Sequence, residues 1–461
     1  MGKLAEIVRH PDELIPLMGM YIAAKRAKRL PKEEGLKFCY DMLNKVSRSF
    51  AIVIQQLPER LRDAICVFYL VLRALDTVED DMALDDEVKI PLLRCFHEKS
   101  RDRSWKMSCG YGHYVSLMEN YPCVTDVFLS LDYEYQRVIE DICKRMGNGM
   151  ADFIPKEVKT VKEYNLYCHY VAGLVGIGLS QLFASSGLES KEFFKLDETA
   201  NEMGLFLQKT NIIRDYLEDI NEEPAPRMFW PKEIWGKYAK ALEDFKDASN
   251  KESALACLNH MITDALSHVD ECLDYMSKLR DPSIFAFCAI PQVMAIGTLE
   301  ACYNNHNVFT GVVKMRRGET AKIMWFLKDY TDACILFRHY AKLIAAKAQV
   351  QVDKDDPNRE RILEICQRIE TTASARIESC VREASDLDPT PLPMSTRILF
   401  FIVSIMYGAY AWKIDKAREV FGTPYHEKTT LVDLINMCIA VVLILYSVVS
   451  VFAKLTAIRY S

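Results

Sequence analysis

From residue 33 to about residue 385, apolar side chains recur at spacings of three and four, the period of an amphipathic helix. Alternating runs bounded by Asn-Gly or Asp-Gly turns are nearly absent. The pattern predicts an all-α body, with helices over 33–46, 59–74, 130–145, 199–220 and 252–278. Only 18 glycines and 17 prolines punctuate 461 residues, which suits long helices better than a turn-rich β architecture. Breaks fall at Pro58, Ser108–Gly112, Glu223–Pro226 and Asp281–Pro282, but no linker before residue 350 divides the body, so residues 1–385 are expected to form one domain.

The opposite ends of the chain differ. Charges interrupt the first ten residues too early for a signal peptide. Leu434–Ala453, in contrast, is twenty residues without a charge, about 30 Å of helix and enough to cross a bilayer. A buried core helix is the alternative, although such helices seldom stay apolar on every face for so long. A shorter apolar run, 398–412, fits an interfacial helix, a re-entrant segment or one arm of a hairpin. Prolines 389, 391 and 393 forbid regular helix ahead of it. Residues 386–433 therefore read as a linker, 434–453 as a C-terminal membrane span and 454–461 as a short tail. Insertion would follow completion of the body, which would then face the cytosol.

Lys+Arg 58 against Asp+Glu 64 gives a net charge of −6, without the basic footprint of a nucleic-acid binder. The 15 cysteines form no C-x-x-C pair, which argues against structural zinc or a disulfide scaffold and for reduced thiols.

Two segments carry the chemistry. In Phe68–Asp81 an apolar helix runs into Asp76, Glu79, Asp80 and Asp81, with Asp76 and Asp80 at i,i+4 on one face and Arg73 on nearly the same side. In Gln208–Asp219, Asn211, Asp215 and Asp219 repeat every four residues. One acidic stripe has a bland explanation as a solvated face. Two stripes facing each other across a cavity would repel unless cations lay between them. Oxygen-only ligands favour a hard ion, and Mg²⁺ is held through one or two carboxylates plus substrate phosphates. The implied chemistry is diphosphate binding with charge neutralised on a departing group.

Val46–Phe50 (VSRSF), the Asp76–Asp80 segment, Tyr167–Gly176 (YCHYVAGLVG) and the Asn211–Asp219 segment together resemble the squalene synthases of the squalene/phytoene synthase family. The resemblance covers most of residues 35–340 and extends to the apolar tail. It implies a class-I isoprenoid synthase helical fold and a farnesyl-diphosphate farnesyltransferase. Two farnesyl diphosphates would be joined to presqualene diphosphate, then reduced with NADPH to squalene, committing carbon to sterols and triterpenes. Asp76, Glu79, Asp80, Asn211, Asp215 and Asp219 would hold Mg²⁺. Ser47, Arg48, Ser49, Tyr69, Arg73, Gln208, Arg214 and Arg227 would contact substrate diphosphate, the arginines through charge-assisted forks. For Arg73 and Arg214 an ion pair with the neighbouring aspartate is an equal alternative.

Tyr167 matches the tyrosine that helps remove a proton as the cyclopropane closes; packing on an apolar helix is its other reading. Gly173, Gly176 and Gly178 follow no strand and suit close helix packing or room for a prenyl chain, not a nucleotide loop. The resemblance places NADPH near Phe287, Pro291 and the basic Lys314, Arg316 and Arg317, which could equally be an exposed charge run. It further implies a monomer tethered to the endoplasmic reticulum membrane. The loop between Asp219 and Arg227, INEEPAP, is longer and more acidic than the short glycine-containing loop of animal members, which leaves the role of Arg227 open. Phytoene synthase is the rival enzyme, with the same first condensation but no reductant and no such tail. A membrane-tethered helical scaffold is the alternative from another class, although every motif position holds a competent residue.

Overall fold

The structure is a computed structural model that describes residues 10–27, 30–223, 226–350 and 356–385. Every regular element in these residues is a helix. The helices that matter here are α1 (Leu14–Ala27), α2 (Glu34–Val46), α3 (Arg48–Ile54), α4 (Glu59–Asp80), α5 (Asp86–Lys99), α6 (Tyr133–Phe153) and α7 (Val161–Ser186). They continue with α8 (Asp197–Arg214), α9 (Tyr216–Ile220), α10 (Lys251–Leu266), α11 (Val269–Ser277), α12 (Pro282–Cys302), α13 (Arg317–Phe326), α14 (Tyr330–Val350) and α15 (Arg359–Ser385).

Local chemistry sets these boundaries. Pro58 closes the preceding turn and starts α4. Thr160 and Glu163 form a reciprocal capping box at the start of α7, and Gly187, at φ +75°, supplies the left-handed residue that ends it. Asp281 caps α12 by accepting from the amides of Ser283 (2.9 Å) and Ile284 (3.1 Å), with Pro282 at the first helical position.

Two helices form the axis of the body. α4 is buried along most of its length from Leu61 to Glu79, and α8 packs against α7, α10, α11 and α12. Lys209 of α8, 1% exposed, reaches Asp264 of α10 at 2.6 Å, a buried ion pair that fixes the two helices in register. Gln292 of α12 donates to the Met203 carbonyl of α8 at 2.9 Å. The glycines allow close approach where α7 meets α8. A Cβ at Gly176 would lie 2.2 Å from the Ala200 carbonyl oxygen, and one at Gly204 would lie 2.3 Å from that of Ala172. Gly176 thus packs closely between the helices, and it also lines the cavity described below, so both of its readings stand. Gly173 meets the Asn201 side chain in the same way, within a π-helical turn at His169–Gly173.

Four predicted helices differ from those observed, among them the expected 130–145 helix, which runs from Tyr133 to Phe153 and ends eight residues past its predicted end. The first acidic helix continues through Asp80, six residues beyond its predicted end. The expected 199–220 helix is interrupted at Asp215 (φ −91°, ψ 11°), where the Arg214 side chain folds onto the adjacent carboxylate. The expected 252–278 helix breaks at Ser267–His268, where His268 turns to pair with Glu202 of α8. At Ser267–His268 the contact that accompanies the break comes from another part of the fold and is invisible to periodicity, whereas at Asp215 it is between adjacent residues.

Met1–Ile377 make one compact unit; Glu378–Ser461 make a second, of which only the end of α15 is described. The predicted linker at 386–433, the apolar run at 398–412, the membrane span at 434–453 and the 454–461 tail lie outside the described residues. Within them, α7 and α12 are long and apolar enough to cross a membrane by length and composition, yet half and 72% of their most apolar windows are buried in the protein. A chain of this size can wrap an all-apolar helix completely.

Candidate active site

The first acidic segment closes α4. Arg73 lies 3.4 Å from Asp76 and donates to the Tyr69 hydroxyl at 3.4 Å, with its guanidinium over the Tyr69 and Tyr114 rings. Its Nε is buried without a hydrogen-bond partner. Asp76 is pushed up to about 7, first by burial and then by the nearby Asp80 and Glu79 carboxylates. Glu79 is raised by burial as well. Asp81 turns away from this group: it accepts from the amide of Gly110 at 2.7 Å and holds the 108–112 loop.

The second segment spans the break after α8. The backbone ladder survives the break, with the Asp215 amide bonded to the Asn211 carbonyl at 2.9 Å and the Asp219 amide to the Asp215 carbonyl at 3.0 Å. The four-residue register read from sequence is thereby kept. Arg214 chelates Asp215 with both Nε and Nη2. Asp219 is pushed up to about 7 by burial and then by Asp215.

Arg227 joins the two segments. Its guanidinium pairs with Asp80 and, at 3.1 Å, with Glu79, while its backbone amide donates to the Asp219 carbonyl at 3.0 Å. Burial opposes its charge, but Glu79, Tyr167 and Asp80 outweigh that and keep it cationic. The guanidinium sits over the Phe229 ring at 5.4 Å, and Phe229 stacks on Tyr167 at 3.9 Å with the planes 8° apart. Burial raises Tyr167 well above the ordinary phenol value, helped by Glu79, so the hydroxyl stays protonated at neutral pH.

Below the acidic groups lies a cavity of about 260 Å³ between α3, α4, α6, α7, α8, α11 and α12. Arg73, Asp76, Gln208 and Asn211 line it where α4 and α8 end. From there to Ile65 and Ala200, about 16 Å back along these helices, the wall is almost wholly apolar. Phe183, Tyr275, Phe287, Cys288 and Pro291 complete it.

The predicted residues are distributed as follows. Tyr69, Arg73, Asp76, Gln208 and Asn211 face the cavity. Arg73 and Arg214 make the ion pairs that were their alternative reading. Ser47 sits between α2 and α3 with its carbonyl accepting from Ala51 and does not line the cavity; the side chains of Arg48 and Ser49 lie outside the described residues. Phe287 and Pro291 line the apolar wall, but Lys314, Arg316 and Arg317 do not line the cavity. Arg316 instead pairs with Glu13 at 2.8 Å, the Glu13 carboxylate packs against Gly318, and Lys322 meets Asp12 at 2.5 Å. The spacing of Asp12 and Glu13 gave no hint of this, because their partners lie three hundred residues away.

The donor set fits Mg²⁺. All ligand candidates offer oxygen, and both acidic groups sit at helix C-terminal ends, where the macrodipole adds negative potential. Carboxylates that retain protons up to about 7 mark a site short of positive charge. Among the described residues no three or more carboxylate, histidine or cysteine side chains are grouped so as to hold a metal ion by themselves. The orphaned Arg73 Nε fits a phosphate oxygen.

The chain matches the squalene/phytoene synthase family over residues 43–319. It is 54% identical over 459 residues to "Squalene synthase LSS" of Botryococcus braunii, covering 98% of this chain and 99% of the relative. It is also 52% identical over 429 residues to the "Lycopaoctaene synthase" of the same organism, covering 91% of this chain and 96% of the relative. A solved structure of TcSQS with a ligand is 49% identical and superposes with a TM-score of 0.72, covering 74% of this chain and 99% of that one. Identity at this level over nearly the whole length establishes kinship, and the chain belongs to the squalene/phytoene synthase family.

Proposed function

We propose that the chain joins two molecules of farnesyl diphosphate into presqualene diphosphate and then converts that product reductively to squalene. The observation that carries this reading is the pair of acidic helix ends, bridged by Arg227, over a long apolar cavity. A prenyl diphosphate has the same division: a highly charged head and a hydrocarbon chain.

Asp76, Glu79 and Asp80 on one side and Asn211, Asp215 and Asp219 on the other would hold Mg²⁺, which when bound neutralises charge on the departing diphosphate. Arg73 offers its unpartnered Nε to a phosphate oxygen. Arg214 and Arg227 already lie among the same carboxylates, so an arriving diphosphate exchanges with their present partners. Ser47, Arg48, Ser49, Tyr69 and Gln208 complete the proposed diphosphate contacts. With the head held at the mouth, the apolar wall excludes water from the allylic cation. The protonated Tyr167 acts as a relay when the cyclopropane closes: it accepts the substrate proton while its own passes to a diphosphate oxygen.

NADPH, when bound, supplies the hydride for the second step. Phe287 and Pro291 would flank it in the apolar wall, with Lys314, Arg316 and Arg317 toward its phosphates. For Arg316 this means exchanging Glu13 for a phosphate. Leu434–Ala453 is proposed as the anchor in the endoplasmic reticulum membrane, with the body, a monomer, facing the cytosol and the product passing into lipid as the committed precursor of sterols and triterpenes.

The experiment is a single-turnover measurement of diphosphate release from farnesyl diphosphate with Mg²⁺. Release by the wild type and none by the folded Asp76→Asn and Asp219→Asn proteins is the expected result. Normal release by either variant would refute the metal-bridge reading.

A further inference from the structure

Outside the active site, four large apolar side chains are exposed together on α1. Leu14, Met18, Tyr21 and Ile22 are 45%, 59%, 66% and 48% exposed. Their spacing of i, i+4, i+7 and i+8 puts them along one side of the helix. The opposite side is fixed to the body. Asp12 and Glu13 pair with Lys322 and Arg316, Pro16 is buried, and Gly19 packs directly under the Trp325 ring. α1 is thus held in an orientation that turns its apolar side outward. Beside it, a groove of about 740 Å³ runs between α1, α3 and α13, and Trp325 and Phe326 add two half-exposed rings.

The charge pattern identifies what covers this face. From Leu14 to Lys32 there is no acidic residue, while Lys25, Arg26, Lys28, Arg29 and Lys32 follow the apolar stripe in a chain whose net charge is −6. Lys25 reaches over the Tyr21 ring at 5.9 Å, so the described start of the basic run adjoins the apolar side chains. An exposed apolar helix side bordered by aromatic and basic residues suits a bilayer interface with anionic headgroups, and suits an aqueous surface poorly.

We infer that α1 and the groove beside it seat the catalytic body on an anionic lipid surface. α3 gives this position a consequence, because it is a wall common to both compartments. Phe50 and Ile54 line the active-site cavity, and Ile52, with Gln55 and Gln56 just past the end of the helix, lines the outer groove. A hydrocarbon leaving the cavity past α3 would meet lipid without crossing water. The inference goes beyond the proposed reaction and does not depend on the 434–453 anchor.

The test uses the full chain in vesicles of phosphatidylcholine with about 30% phosphatidylserine, doped with a lipid carrying a diazirine in its acyl chain. Peptide mapping after irradiation should find adducts on 14–25. Labelling there should fall roughly fivefold or more in pure phosphatidylcholine, and likewise after Lys25, Arg26, Lys28 and Arg29 are all changed to Gln. Met18→Glu with Tyr21→Glu should abolish it while turnover in detergent is unchanged. Adducts on 434–453 serve as a separate readout of the anchor, so labelled 14–25 with unlabelled 434–453 supports this inference and refutes the anchor. Labelled 434–453 without labelled 14–25, no labelling of either, or crosslinks from 14–25 to a second copy of the chain would each overturn it.

Discussion

The two ends of the active-site cavity are opposites. Arg73 and Asp76 line the mouth, Arg227 beside them pairs with Glu79 and Asp80 and bonds the Asp219 carbonyl, Arg214 pairs with Asp215, and two of the carboxylates hold protons up to about 7. Along the wall below, Ile65, Phe68, Leu72, Val175, Leu179 and Leu207 carry no charge at all. The mouth is electrostatically unfinished without a cation, whereas the wall is finished without one. On the proposed function, bond breaking belongs to the mouth and chain selection to the wall.

The largest expected effect breaks the mouth. Asp76→Asn or Asp219→Asn should lower diphosphate release by about a thousandfold or more, the scale of losing a preorganised charge at the departing group. The same variants should leave the cation-free protein as stable as the wild type or more so, since each removes a carboxylate that burial disfavours; thermal unfolding checks this. Arg227→Gln should cost about a hundredfold in turnover. It should also destabilise the protein, because Glu79 and Asp80 lose the partner that now compensates them.

A change in the wall should read out differently. Val175→Phe narrows the cavity and should raise KM for a fifteen-carbon diphosphate about tenfold while sparing a shorter prenyl chain. Equal losses for both chain lengths would erase the distinction between mouth and wall.

pH should separate the two ends as well. Asp76 and Asp219 bind protons in the folded state up to about 7, far above their ordinary carboxylate range. Their contribution to stability is therefore full below pH 4 and is lost as pH rises through about 7. Cation-free protein should lose a few degrees of Tm between pH 6 and 8, and Mg²⁺ should restore more of it at pH 8 than at pH 6 because it then displaces fewer protons. A Mg²⁺ effect that shrinks with rising pH would contradict the assignment. The smallest effect expected is at the periphery: Glu13→Gln should free Arg316 and lower KM for NADPH a few-fold, read from initial rates of squalene formation.

Helical periodicity made the all-α body legible, and the i,i+4 carboxylates marked both acidic segments before any geometry was known. Asn211, Asp215 and Asp219 kept their register even though the helix breaks among them, because the i to i−4 backbone bonds persist. Long-range pairing was illegible. Arg227 reaches Asp80 across 147 positions from an irregular loop, and Glu13 meets Arg316 at the basic run. α12 qualifies the hydropathy argument: it is as long and apolar as a membrane span, yet 72% of its most apolar window is buried in the protein. Composition alone cannot distinguish those environments, since both remove the same side chains from water.

The most direct measurement is product analysis. The full-length protein is incubated with farnesyl diphosphate and Mg²⁺, with and without NADPH, and its products are identified by mass spectrometry. Squalene with NADPH and presqualene diphosphate without it are the predicted results. Presqualene diphosphate under both conditions would contradict the reductive step and return Lys314, Arg316 and Arg317 to an exposed charge run, and no condensation product under either would contradict the account as a whole.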